Sequence, residues 1–245
     1  MDSRDYERAL AVLDRCVRIE SVDAFGEEFL EALGSVYGCV HTAFFRTRAF
    51  TRTFADPAPV LNGRLPKIID EYRGRWFPQD VMFTRESIAR IGRYGVSSLT
   101  QLRPQQVPAT ARAYLDDFVF RRGFRSVCAI DLELPAGQRG VAGVFHETPD
   151  GLSRADLAGF AVIVRQLSPV ARRLPASAGS PAALASLPPR LREVATLIGE
   201  GCSNATIARR TGLALDSVKK YTSQVLAETG CTNRTELALL VAGGR

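Results

Sequence analysis

Histidine is almost missing from this chain: its 245 residues hold two, His41 and His146. Both fall in strand patterns, where a core or surface histidine is far commoner than a catalyst. There is no Gly-rich phosphate loop and no metal-ligand spacing. No catalytic residue, metal site or cofactor is therefore expected, and an enzyme is disfavoured. Cysteine is sparse too. Cys16, Cys39, Cys128, Cys202 and Cys231 are scattered, odd in number and without a C-x-x-C pair, which fits a reducing cytoplasm. No apolar run approaches the roughly 18 residues of a membrane span. The start, MDSRDYERAL, is charged and lacks the apolar core of a signal peptide. An acidic pair after a first strand, as in a phosphorylated receiver domain, is also lacking, because residues 1–60 open on helical patterns. Lysine is the last scarcity. Only Lys67, Lys219 and Lys220 occur, so the net charge of +6 is carried almost wholly by arginine.

Two of those three lysines sit in the most informative segment, Leu187 to Ala242. Leu191, Val194, Ala195 and Ile198 fall at i, i+3, i+4 and i+7, one apolar stripe of a first helix. Gly199 and Gly201 end it. Ser203 is placed to cap a second helix with Ile207 and Ala208 facing inward, and Gly212 breaks that helix after about two turns. A third helix is predicted from about Leu215 to Glu228, with Val218, Thr222 and Val225 buried and Lys219, Lys220 and Ser223 on the opposite face. Gly230 stops it. Asn233 and Glu236 form an N-x-x-E capping box for a fourth helix carrying Leu237 and Leu240. The layout is an all-α, four-helix helix-turn-helix domain. Residues 186–245 hold eight Lys/Arg against five Asp/Glu, a basic balance that suits a polyanionic partner.

The matches Arg192, Glu193, Val194, Leu197, Ile198, Gly201, Ser203, Asn204, Ile207 and Ala208 come first. Ser217, Val218 and Lys219 follow, and then Gly230, Asn233, Arg234, Thr235, Glu236 and Leu237. This segment resembles the LuxR-type DNA-binding domain, found also in FixJ-type response regulators. The resemblance runs without an internal gap and covers about a quarter of the chain. It implies a transcriptional regulator that binds double-stranded DNA. Departures from the family pattern are Pro188, Thr206, Thr211, Ala214, Tyr221 and the Glu228-Thr229 pair. A lost helix cap costs about 1 kcal/mol. Asp216 is the candidate to cap in place of Ala214. Glu228 puts negative charge where a phosphate-facing lysine is common, so weaker intrinsic DNA affinity and more reliance on dimerisation are expected.

Roles follow from position. Lys219 and Lys220 lie in the first turns of the recognition helix and Ser223 one turn on. Lysine can donate to guanine O6 or N7, and a hydroxyl can serve several base edges. By resemblance, Lys219 matches the family's usual DNA contact. Asn204, Ser217 and Tyr221 suit phosphates, which set register but specify little. Arg209 and Arg210 could reach the backbone from the second helix. The plain alternative for every one of these cations is solvated surface charge.

PASAGSPAALAS, Pro175 to Ser186, is uncharged and rich in small residues and reads as a linker. It separates a sensing and dimerisation domain, 1–174, from the DNA-binding domain, 187–245. In the first domain, residues 5–19, 24–36, 64–75, 109–122 and 153–173 read as helices. Residues 39–47, 126–134 and 140–147 read as strands, the last two joined across a PAGQ turn at 135–138. Helices flanking a small antiparallel sheet make an α+β fold. Residues 114–147 resemble the helix, glycine and hairpin of PAS/GAF-like sensor domains found ahead of LuxR-type domains. The acyl-homoserine-lactone receptors of this group use a Trp, a Tyr and an Asp followed by Pro. Here Tyr72, Trp76 and Asp80 occur at a different aromatic spacing, and Val81 follows Asp80. Phe44, Phe45, Phe54, Tyr72, Trp76 and Phe77 are candidates to line an apolar cavity for a small signal molecule, quorum-sensing-like or other, with Asp80 as polar anchor. Against this stands ordinary core packing, with Asp80 capping a turn.

The expected mechanism is a homodimer. The sensor domains pair through the first helices or the 153–173 helix, and the DNA-binding domains through the last helix around Leu237 and Leu240. RNA polymerase is a further expected partner. The alternatives are a ligand-independent orphan regulator, or a protein-interaction role with a DNA-incompetent C-terminal domain.

Overall fold

Side-chain alternation along three long strands organises the first half of the protein. The computed structural model describes residues 2–174, 183–184 and 187–243. It divides into two units, Met1–Leu174 and Pro175–Arg245. The expected linker, 175–186, lies outside the described residues except for Ala183 and Leu184.

The first unit carries five strands: β1 (His41–Thr47), β2 (Val60–Leu61), β3 (Val96–Ser98), β4 (Ser126–Glu133) and β5 (Arg139–His146). They form one antiparallel sheet in the order β2-β1-β5-β4-β3. Successive strand residues face opposite sides. Phe44, Cys128, Ile130, Leu132, Ala142 and Val144 enter a core built with α1 (Ser3–Cys16), α2 (Val22–Tyr37) and α6 (Arg154–Ala171). Ala43, Phe45, Val127 and Ala129 enter a second core on the other face. The α+β expectation holds. The helices of the first core start where side chains satisfy their free amides. Reciprocal capping boxes form between Asp2 and Asp5 and between Ser153 and Asp156, and Ser21 caps α2. Phe44 needs glycine on both sides: a Cβ on Gly26 would lie 2.7 Å, and one on Gly140 2.4 Å, from its ring.

The layer over the second core is irregular. The helix predicted over 64–75 is a 3₁₀ turn (Leu65–Lys67), a short α3 (Ile69–Glu71) and a π turn (Tyr72–Trp76). The one predicted over 109–122 is α5 (Ala109–Ala113), a π turn (Tyr114–Val119) and a 3₁₀ turn (Phe120–Arg122). Between them stand α4 (Arg85–Tyr94) and the short edge strand β3, and the other short edge strand, β2, precedes both; the sequence reading anticipated none of the three. The 135–138 turn is as expected. Gln138 N–H donates to the Pro135 carbonyl at 3.0 Å, and Gly137 takes φ of 71°.

The second unit contains α7 (Pro189–Gly199), α8 (Asn204–Thr211), α9 (Leu215–Thr229) and α10 (Arg234–Gly243). Leu191, Val194, Ile198, Ile207, Val218 and Val225 meet in its core with Leu237 and Leu240. Gly201, Gly212 and Gly230 all take positive φ, the conformation that ends a helix without a Cβ penalty. Among the described residues, no helix is long and apolar enough to cross a membrane.

Candidate DNA-binding surface and ligand cavity

The turn between α8 and α9 sets the first site. Ser203 accepts from Thr206 N–H at 3.2 Å and caps α8. Its hydroxyl also meets that of Thr206 at 3.1 Å, so threonine replaces only part of a capping box. α9 starts at Ala214 with no side-chain cap. The expectation that Asp216 caps in its place is not met. Asp216 lies inside the first turn, 92% exposed, and its carboxylate pairs with Lys219 Nζ at 3.0 Å. Val218 and Val225 are buried, which leaves Lys219, Lys220 and Ser223 exposed on the outer face. Thr222, expected to be buried, is half-buried and returns its hydroxyl to the Val218 carbonyl at 2.8 Å.

The supporting residues differ in freedom. Ser217 and Tyr221 are half-buried at the edge of α9, and Tyr221 packs on the core. Asn204 accepts from Arg234 Nη1 at 3.0 Å, and Arg234 also donates to the Cys202 carbonyl. Arg234 thus ties the start of α8 to the start of α10. Arg209 is exposed. Arg210 is exposed but bound to Glu200 at 2.6 Å and to Cys202 Sγ at 3.3 Å. The capping box of α10 is half formed. Asn233 accepts from Glu236 N–H at 3.0 Å, whereas the Glu236 carboxylate turns to Thr232. Leu237 and Leu240 are 0% and 8% exposed. They complete the unit's own core, so pairing around them would fall to the exposed side of α10, where Leu239 is 69% exposed.

The second site is a cavity of about 70 Å³ between the sheet and its irregular layer. That is several times the roughly 10–15 Å³ one water needs on the same measure. Phe45, Tyr72 and Asp80 line it, as expected, joined by Phe50, Phe83, Phe118 and Phe145. Trp76 and Phe54 do not. Trp76 is buried against Phe118, outside the cavity, and its indole N–H donates to Glu71 at 3.0 Å. Phe54 is 37% exposed and packs on Phe77, the rings tilted by 40° with centres 3.8 Å apart. Phe44 points into the opposite core. The aliphatic lining, including Leu61, Leu65, Ile68, Ile69 and Met82, was missed. Strand alternation could have flagged the sheet residues Val127, Ala129 and Val141.

Asp80 is the polar centre. Its Oδ1 accepts from Met82 N–H at 2.8 Å, and its Oδ2 from the hydroxyls of Tyr72 at 2.7 Å and Tyr114 at 3.4 Å. It therefore both caps a 3₁₀ turn and faces the cavity. Burial raises its carboxyl above the ordinary value, although all three donors favour the anion. Burial, and then the neighbouring Asp80 charge, push both phenols well above their ordinary range.

Residues 181–228 match the family described as sigma-70, region 4. Among curated protein sequences none matches the chain. The structure is similar to that of SdiA in complex with octanoyl-rac-glycerol, at 16% identity and a TM-score of 0.50 over 100% of this chain and 97% of the other. A second SdiA structure, from Escherichia coli, matches at 14% identity and a TM-score of 0.43, over 98% and 97% of the two chains. The VqsR LBD domain from Pseudomonas aeruginosa matches at 13% identity and a TM-score of 0.40, over 69% of this chain and 94% of that one. The match to SdiA covers the whole chain and shows its fold, an α+β unit followed by a helical one, and the sigma-region match falls in the second unit.

Proposed function

We propose that this protein is a sequence-specific DNA-binding transcriptional regulator of the LuxR type, acting as a homodimer and controlled by a small, largely apolar ligand in the N-terminal cavity. The observation that carries the reading is α9. Its buried stripe locks it behind α8 and leaves Lys219, Lys220 and Ser223 together on an exposed face. A helix so presented after a tight turn fits the major groove. Paired recognition helices would meet half-sites about one DNA turn apart. Asn204, Ser217, Tyr221 and Arg209 supply phosphate contacts around it, and Arg210 joins them on leaving Glu200. A ligand controls such a protein only by binding its DNA-competent arrangement better than the alternative. The cavity, and the octanoyl-glycerol held by the similar SdiA, support a ligand with an apolar body.

The test is titration of the full-length protein against DNA upstream of its own coding region, across a salt series, beside the Lys219→Ala/Lys220→Ala variant. Tight, footprinted, salt-sensitive binding is expected. In the variant it is expected to weaken and to lose roughly one unit of salt slope per phosphate contact removed. Wild-type affinity in the variant would sink the assignment of α9. One observation favours a second reading, a ligand-independent regulator. The chain's own donors already occupy both oxygens of Asp80, so this unit can satisfy its polar centre unaided.

A further inference from the structure

The chain treats its buried carboxylates unequally. Asp131 is bound by Arg139 through three contacts of 2.6–2.9 Å. Asp156 has Arg8 at 2.5 Å. Asp56 accepts from two backbone amides, with Arg73 bonded to its own carbonyl. Asp80, 8% exposed, meets neutral donors only and enters no ion pair. No Lys, Arg or His lines its cavity among the described residues. The surroundings sharpen the contrast. Residues 46–125 carry fifteen Lys/Arg against seven Asp/Glu, yet none of those cations lines the space that Asp80 faces.

Around that space stand six aromatic rings: Phe45, Phe50, Tyr72, Phe83, Phe118 and Phe145. A desolvated carboxylate without a cation is costly, and a cation brought to it removes that cost. Aromatic faces attract the same cation through their quadrupoles, most strongly when water is excluded. An anionic ligand would meet Asp80 with no counter-charge. A neutral one could add a hydrogen bond to those Asp80 already accepts, but no counter-charge.

We propose that the cavity takes a compact amine, a protonated ammonium group on an apolar or aromatic body, with the ammonium on Asp80 and the body against the six rings. This rests on the reading of the cavity as a ligand site and names the ligand's class. The Thr53 side chain, at a 4%-exposed cavity position, offers a hydroxyl to a second polar group on the ligand.

The test is calorimetric titration of the full-length protein with three probes of matched shape: 2-phenylethylamine, 2-phenylethanol and 3-phenylpropionate. The amine is expected to bind about ten-fold or more tighter than the alcohol, the scale of one desolvated charge contact, and the carboxylate not to bind. In Asp80→Asn the preference for amine over alcohol is expected to collapse while the alcohol is held as before. Should that variant misfold, the wild-type ranking decides. An alcohol that binds as tightly as the amine overturns the amine assignment and leaves the ligand site standing. No heat from any probe at millimolar concentration overturns both.

Discussion

Removing a negative charge from the recognition helix is expected to tighten DNA binding while slightly weakening the fold. Asp216 is 92% exposed in the first turn of α9 and holds Lys219 Nζ at 3.0 Å. On DNA, that carboxylate would face phosphate. At a separation of about 6 Å in water, two unit charges of like sign cost about 0.7 kcal/mol. Lys219 must also leave an i,i+3 pair worth about 0.2–0.5 kcal/mol before it can reach a base or phosphate. Asp216→Asn removes both penalties, a gain of about 1 kcal/mol, or roughly five-fold in affinity. The same change deletes an acidic group at a helix N-terminus, which costs about 0.3–1 kcal/mol of stability. Affinity and thermal midpoint should therefore move in opposite directions, so a trivial folding effect cannot mimic the result. Fluorescence anisotropy with a footprinted operator fragment at two salt concentrations measures it. The gain should shrink at the higher salt, where screening shortens its reach. Unchanged or weaker binding by Asp216→Asn, with Lys219→Ala still deleterious, would refute the reasoning. It would mean that Asp216 aligns Lys219 for contact instead of withholding it.

Two other perturbations separate competing effects. Gly199→Ala should destabilise the C-terminal unit, although alanine is the better helix former by about 1 kcal/mol. The new Cβ would lie 2.3 Å from Val241 Cγ1 and 2.7 Å from Val241 Cβ, and overpacking costs about 1–3 kcal/mol. Thermal melts followed by circular dichroism should show a loss that Val241→Ala partly relieves, and a stabilised Gly199→Ala would contradict the packing. For Asp80, burial raises the folded carboxyl above the ordinary 3.8. The folded state then holds that proton more tightly, a contribution fully present below the unfolded value and lost as pH rises through the folded one. Urea titrations across this acid range should show wild type losing stability relative to Asp80→Asn as pH rises, and the opposite trend would reverse the sign of the burial effect.

How far the fold could be read from sequence depended on how each segment was punctuated. The four C-terminal helices were legible because Ser203, Gly201, Gly212 and Gly230 mark their ends and the buried positions keep one helical period. The hairpin of β4 and β5 was legible because two apolar-rich runs of eight residues flank a turn holding Pro135 and Gly137, although β4 is buried along seven of its eight residues. α4 escaped because Ser87 and Ile91 are its only buried residues, while Ile88 is exposed among three arginines. β2 and β3, two and three residues long, are too short to show a period. Leu237 and Leu240 were placed on a helix correctly, but the unit's own core takes them up. Periodicity shows that a face is apolar without saying whether the same chain or another covers it.

The cavity shows the same boundary at finer scale. Ile68, Ile69 and Tyr72 all line it, at the i, i+1 and i+4 spacing of a helical stripe. An α-helix would carry that stripe on to Trp76. The π turn from Tyr72 to Trp76, closed by Phe77 N–H on the Tyr72 carbonyl, puts five residues where the α ladder has four. Trp76 leaves the stripe and turns its indole N–H to Glu71. A second π turn begins at Tyr114. The first residue of each π turn is thus a tyrosine, and both hydroxyls donate to Asp80 Oδ2. Such turns are rare and concentrate at functional sites because they re-aim side chains that a regular helix would hold elsewhere. Here they bring two phenols from segments 42 residues apart in sequence onto one carboxylate. Asp80 is therefore the tie between the two walls of the cavity as well as its polar centre, and a ligand that engages it acts on both walls at once.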